Sequence, residues 1–346
     1  MKRLLAAALS VVALATAAGC ATKPSASALG GDAVRLGYFA NVTHATALVG
    51  VQRGTFAARI GRVETQVFNA GPAAVEAIFA GAIDAAYVGP NPAINAYVKS
   101  KGDAIRIVAG ATSGGAQLVV KPGITSAADL RGKTLATPQL GNTQDVALRA
   151  WLKANGLKTD PQKGGDVTIA PQENATSLDL FKKGEIAGAW LPEPWASRLV
   201  LDGGGQVLVD EATLWPRGTF VTTHLIVATP FLEDHPDVVR KLLEAHVETT
   251  DWIVKNPAEA KTVVNAALER LTTKKLAAAV LDRAFSHLTV TYDPVATSLV
   301  ASATHAAEAG LLAKPDLAGI YDLRPLNAVL AAQGRPAVSD AGLGRK

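Results

Sequence analysis

Gly141, Asn142 and Thr143 stand directly before a helical stretch, and their types suit one task, holding an anion. A threonine at a helix start presents its hydroxyl beside backbone N–H groups that have no partner within the helix, and the helix dipole adds partial positive charge there. Gly141 permits close backbone approach. The alternative is that Asn142 or Thr143 only caps its own helix. Gly89, Pro90 and Asn91 repeat the pattern. The Asn91 amide either donates to a ligand without bringing a charge or caps the helix. Two such starts facing one space suit a sulfonate, a nitrate or a carboxylate. Gln139 is a further polar candidate just upstream.

Other residues carry two readings each. Trp195 follows Pro194 and Tyr38 ends an apolar stretch; either walls a cleft around an organic tail or packs in a core. Trp190 lies inside a strand-like run and reads as core. Glu193 repels an anion, so it pairs with a basic group, holds an interface, or marks a ligand that also carries an amine, as a taurine-like zwitterion does. His44 is either a ligand contact or local structure. Ser113 and Gly114, within a Thr-Ser-Gly-Gly run, and Thr222 read as hydrogen-bonding residues beside chain crossings. Catalytic signatures are missing from this sequence. No Gly-x-Ser-x-Gly elbow and no Gly-Lys-Ser/Thr phosphate loop occurs. The six histidines and single cysteine show no metal-ligand spacing, so no metal site and no cofactor is expected. The reading is a binder, not an enzyme.

The elements that position these residues announce themselves by repetition. GAIDAAYVGPNPAINAYV around Gly81 matches GEIAGAWLPEPWASRLV around Gly184 at a constant offset of 103 residues. Gly81 aligns with Gly184, Ile83 with Ile186, Ala86 with Ala189 and Tyr87 with Trp190. Each copy follows an amphipathic helix and leads into an apolar strand, so two βαβ units predict two similar lobes with a cleft between them. Five loops at strand-to-helix junctions should face that cleft: 38–45, 69–72, 89–91, 141–143 and 192–195. The expected division is a first lobe from 33–116 completed by 223–315, a second lobe over 117–222, and a tail over 316–346. Crossings near 114–118 and 222–225 would form the hinge. A short helix over 126–133 with Ser126 as its cap is also expected.

The start of the chain reads as an export signal. Lys2 and Arg3 precede an apolar run too short to span a membrane. Residues 1–19 are the signal. Ala17, Ala18, Gly19 and Cys20 resemble a bacterial lipobox, with alanine where leucine is usual, so Cys20 is expected as the lipidation site and 20–32 as a flexible tether; the alternative is an ordinary secretory signal with an incidental cysteine. Losing Lys2 and Arg3 leaves 32 basic against 30 acidic residues. That near-balance, without a basic block, argues against nucleic acid.

Three segments carry a family likeness: GPNPA at 89–93, LRGKTLATPQLGNTQD at 130–145 and EPWAS at 193–197. From about residue 34 to 312 the chain resembles the periplasmic or surface-anchored substrate-binding proteins of ABC importers, in the nitrate/sulfonate/taurine group. The resemblance implies an α/β, type II periplasmic-binding-protein fold, each lobe a mixed sheet flanked by helices. It also implies a monomer that delivers solute to a membrane permease. His44, Asn91, Gly114, Asn142, Thr143, Glu193 and Trp195 would line the site, with the residue matching Thr143 holding the anionic head. The loops lack basic residues, a departure from the nitrate pattern. That favours a small organic anion or zwitterion, an aliphatic sulfonate or taurine-like solute, over nitrate. Relatives also take thiamine precursors or aromatic acids, and the same architecture serves as a periplasmic sensor or a pyrimidine-forming enzyme.

Overall fold

The computed structural model describes residues 32–160, 164–313 and 315–345. The signal peptide, Cys20 and all of the tether except Asp32 lie outside the described residues. The strands are β1 (Ala33–Phe39), β2 (Arg62–Phe68), β3 (Ala85–Val88), β4 (Ile105–Gly114), β5 (Ala116–Val120), β6 (Thr134–Thr137), β7 (Thr168–Pro171), β8 (Gly188–Pro192), β9 (Gln206–Asp210), β10 (Val221–Ala228) and β11 (Leu288–Val290). The helices are α1 (Ala45–Gln52), α2 (Thr55–Ile60), α3 (Gly71–Phe79), α4 (Pro90–Lys99), α5 (Thr143–Ala154), α6 (Asn174–Lys183), α7 (Trp195–Leu201), α8 (Thr229–Asp234), α9 (Pro236–Lys255), α10 (Pro257–Thr272), α11 (Ala278–Ser286), α12 (Leu299–Glu308) and α13 (Arg324–Ala332). They build two mixed sheets, β11-β4-β10-β3-β1-β2 and β7-β6-β8-β5-β9.

The repeated sequence is a repeated structure, down to the register. β3 runs parallel to β1 with Leu36 opposite Ala85 and Gly37 opposite Ala86. β8 runs parallel to β6 with Leu135 opposite Gly188 and Ala136 opposite Ala189. Ala86 also faces Ile226 of antiparallel β10, as Ala189 faces Val119 of antiparallel β5. α3 and α6 begin at Gly71 and Asn174, the same offset apart as the aligned glycines. Small residues at these central positions let helices pack on both faces of each sheet. Alternation divides the larger sheet into two cores. Leu36, Tyr38, Ala85 and Tyr87 enter one, while Phe39, Ala86 and Val88 enter the other. The smaller sheet is covered likewise, with Trp190 fully buried on one face.

Between the sheets the chain crosses twice. Gly114 and Gly115 make the first crossing with φ of 76° and 79°, a left-handed backbone that suits glycine. The return lies earlier than 222–225. It occupies 211–220, through 3-10 turns at Glu211–Leu214 and Pro216–Gly218, whereas Thr222, Thr223 and His224 already lie buried inside β10. Their polarity made this stretch read as a connection. It is strand because β4 pairs with it from Val221 on, and β3 joins on the other side from His224. Segment 126–133 forms only a 3-10 turn, Ala128–Leu130, that no side chain caps; the acidic half of the capping box is present, Asp129 accepting from the backbone N–H groups of Ser126 and Thr125. Nor do residues 316–345 trail as a tail. Leu326, Val329 and Leu330 of α13 join the first core, and Arg335 pairs with Asp251.

Glu211, at the start of the return crossing, is buried and accepts a 2.8 Å hydrogen bond from the Trp190 indole. Burial pushes its carboxyl up to about 7, against the opposing pull of hydrogen bonds from Trp190 and Trp215. A carboxyl raised on folding stabilises less as pH rises from its unfolded value towards its folded one. Wild type should therefore lose on the order of 2–3 kcal/mol relative to Glu211→Gln between pH 4.5 and 7.5, read by urea unfolding. Parallel pH profiles of the two proteins would contradict the assignment.

Candidate functional site

Both sheets point the carboxyl ends of their parallel strands at the interlobe cleft, where ligands of open α/β sheets bind. Helices begin there. Asn41 precedes a 3-10 turn, Val42–His44, that runs into α1. Ala70, Gly89, Asn142 and Glu173 occupy the cap positions of α3, α4, α5 and α6. No side chain caps any of these five starts. The floor of the cleft is lined by Asn41, Thr43, His44, Asn69, Asn142, Thr143, Gln144, Asn174, Thr222 and Thr223, with Phe39, Ala70, Gly89, Pro138 and Pro192. None of these side chains is formally charged. His44 is buried and its pKa falls to about 3 through desolvation, so the imidazole is neutral, its Nδ1 accepting from the Phe39 N–H at 3.3 Å.

Three buried polar atoms on this floor have no hydrogen-bond partner: Thr143 Oγ1, Thr223 Oγ1 and Asn174 Oδ1. Buried polar atoms are ordinarily paired, so unpaired ones lining a cleft point to a ligand; the two hydroxyls can donate to an anion, whereas Asn174 Oδ1 only accepts. The space these atoms line is ≈ 20 Å³. As a sphere it has a radius of about 1.7 Å, room for the atom centres of one compact oxyanion.

The surrounding residues hold the floor in place. Asp145 accepts from Thr137 Oγ1 at 3.0 Å, from the Gly141 N–H at 2.9 Å and from Arg149 Nε at 3.1 Å, locking the turn that presents Thr143. The Trp195 indole donates to Asn41 Oδ1 across the lobes at 2.8 Å. Asn69 donates to Glu173, also across the lobes. Glu193 is fully buried; it accepts from the Ser197 N–H at 3.0 Å and pairs with Arg283 of the other lobe at 3.3 Å. Burial raises its pKa, partly offset by Ser197 and Arg283.

The residues singled out in the sequence divide accordingly. His44, Asn142, Thr143 and Thr222 line the floor, and Trp195 lines the wider mouth above it. Tyr38 does not face the cleft. It enters the first core, and Phe39, one residue on, takes the lining position because successive strand side chains alternate. Asn91 turns away to donate to the Ser302 carbonyl at 3.0 Å. Ser113 and Gly114 open onto a separate space at the hinge beside Arg217 and His287. Gln139 lines no part of the cleft; its carbonyl accepts from the Asn142 N–H. Glu193 holds the lobe interface rather than the floor. Sequence reasoning placed the loops of Asn41 and Asn69 at the cleft without singling these residues out, and it did not assign Asn174 or Thr223 to it. The first three sit at helix starts, a signal that was available, while Thr223 is visible only once β10 is placed.

Above the floor the cleft widens into a mouth of ≈ 500 Å³, lined from both lobes by Phe68, Leu178, Trp195, Leu276 and Val280 among others. Two sheets, crossings through paired strands, and a cleft walled by helix starts define a two-lobed binding protein of the periplasmic-binding-protein fold. The NMT1-like family matches residues 28–268, and the chain belongs to that family. A binding protein of Brucella abortus (strain 2308) is 26% identical over 241 residues, covering 68% of this chain and 72% of its own. The taurine-binding periplasmic protein of Escherichia coli (strain K12) is 28% identical over 204 residues, 59% of this chain and 61% of its own. Among solved structures, the alkanesulfonate-binding protein of Xanthomonas axonopodis pv. citri bound to MOPS superposes with a TM-score of 0.69 at 20% identity, covering 82% of this chain and 96% of that one. The periplasmic nitrate-binding protein of Synechocystis PCC 6803 gives 0.70 at 17% identity, over 82% and 83%.

Closure of the floor depends on Gly89. A Cβ there would stand 2.2 Å from Thr143 Oγ1. Gly89→Ala should hold the lobes apart, read as a larger radius of gyration in solution scattering, and adding Thr143→Ala should restore compactness. A Gly89→Ala protein as compact as wild type would show that the lobes do not meet here.

Proposed function

We propose that this protein is the extracytoplasmic solute-binding component of an ABC importer, taking up an organic anion or zwitterion and handing it to a membrane permease. The observation that carries this reading is the uncharged floor: five uncapped helix starts and two partnerless hydroxyls, those of Thr143 and Thr223, around a space the size of one oxyanion. Helix dipoles and neutral donors hold an anion without a buried counter-charge. Membership of the NMT1-like family supports the role, and the taurine- and alkanesulfonate-binding relatives are named for organic sulfonates.

The mechanism is mechanical. Residues of both lobes line the floor, so a solute touches all of them only when the lobes are together, and binding favours that state. Gly114 and Gly115 and the segment 211–220 are the flexing connections. The closed form docks on the permease, where transport energy is supplied. Cys20, once lipidated, tethers a monomer to the membrane surface. The floor binds without performing chemistry on its solute.

Hydrogen bonds to a charged partner contribute about 1.5–3 kcal/mol each. Thr143→Ala and Thr223→Ala should each weaken calorimetric binding of the best ligand from an organic sulfonate and carboxylate panel by roughly 10- to 100-fold, with little change in melting temperature. Unchanged affinity in both variants would remove the floor as the anion site. Because His44 is neutral above about pH 4, wild-type affinity should stay flat from pH 5 to 8. A decline as pH rises through 6–7 would mean that a histidine charge holds the anion.

A further inference from the structure

The floor and the mouth differ in size by more than an order of magnitude, ≈ 20 Å³ against ≈ 500 Å³, yet they share three lining residues, Asn41, Asn69 and Asn174. These amides form a collar between the two spaces. Asn41 and Asn69 are each engaged across the lobes, by Trp195 and Glu173, so the collar is assembled from both sides when the lobes meet. A head group seated on the floor has the mouth beyond the collar as adjoining room for the rest of its molecule.

We infer that the solute carries a bulky, largely apolar tail that passes the asparagine collar and lies in the mouth between Trp195 and Phe68 on one side and Leu276 and Val280 on the other. This rests on the floor being the anion site. The mouth's size is that of pockets that enclose ligands much larger than taurine or nitrate. Its apolar lining comes from both lobes: Leu178 and Trp195 from one, Phe68, Leu276 and Val280 from the other. Its charges are balanced. Arg198 pairs with Asp202 at 3.0 Å, and Lys274 and Lys275 on one rim stand against Glu173 and Asp179 on the other. A tail here gains from burial and needs no net charge. The Trp195 ring is held by its bond to Asn41 and by the Arg198 guanidinium 4.9 Å from its centroid, so it offers a rigid wall. Taurine and nitrate would occupy the floor and leave the mouth to water.

The test is a homologous series with one head group: methanesulfonate, taurine, butanesulfonate, octanesulfonate and naphthalene-2-sulfonate. Tight binding is measured by calorimetry and weak binding by chemical-shift titration. Affinity should rise up to about fourfold for each methylene buried, making octanesulfonate at least 100-fold tighter than methanesulfonate. Ala175→Trp and Ala277→Trp, at exposed positions on opposite walls of the mouth, should cut octanesulfonate and naphthalene-2-sulfonate binding at least tenfold and leave methanesulfonate within twofold. Affinity independent of tail length, or a tail gain that neither tryptophan diminishes, overturns the inference while leaving the floor intact. Loss of that anion site itself would show differently: methanesulfonate binding that is absent, or that Thr143→Ala does not weaken.

Discussion

Five helices start at one cleft and none of them caps itself. Each start leaves backbone N–H groups without an intrahelical partner, and a buried donor left unpaired costs about 1–3 kcal/mol. In this cleft such groups lie beside the buried, partnerless hydroxyls of Thr143 and Thr223. Two residues from Thr143 the buried Asp145 carboxylate accepts from Thr137, Gly141 and Arg149 and fixes the turn. On the proposed reading, an anion is the species that pairs the two hydroxyls.

The remaining architecture serves to bring these starts together. Parallel strands place helix starts at one edge of each sheet, and two sheets built alike present two such edges. The antiparallel strands β5 and β10 carry the chain between lobes, which keeps both crossings beside the cleft. The lobes then meet through few, specific contacts. Gly89 admits Thr143, Asn41 receives Trp195, and Arg283 reaches Glu193. Because Glu193 is buried and held by Arg283 and Ser197, its charge is spent on the interface and does not oppose an anion on the floor.

Holding an anion without a cation has consequences for selectivity. Neutral donors in fixed positions discriminate by geometry and by what the rest of the solute does. If the floor takes only a head group, as proposed, discrimination between solutes passes to the mouth, where Trp195 and apolar residues of α10 and α11 lie. The buried, neutral His44 fits the same scheme, shaping the floor through its contact with Phe39 rather than through charge.

Much of this was legible in the residues alone. The 103-residue repeat, the strand-helix alternation and the five junction loops follow from local pattern, because apolar spacing and glycine positions are written directly in the chain. So is the position of Thr143 at a helix start; whether its hydroxyl faces the cleft or caps its own helix is not, and it makes no cap bond. What local pattern leaves open is direction and company. Tyr38 and Phe39 are equal candidates until the pleat decides which faces the cleft, and Asn91 is a plausible donor until α12 takes its amide. Thr222 and Thr223 read as connection; pairing with β4, a strand distant along the chain, makes them strand. The sequence by itself determined which segments form the cleft. Tertiary structure alone decided which side chains enter it, because orientation depends on neighbours that are distant along the chain.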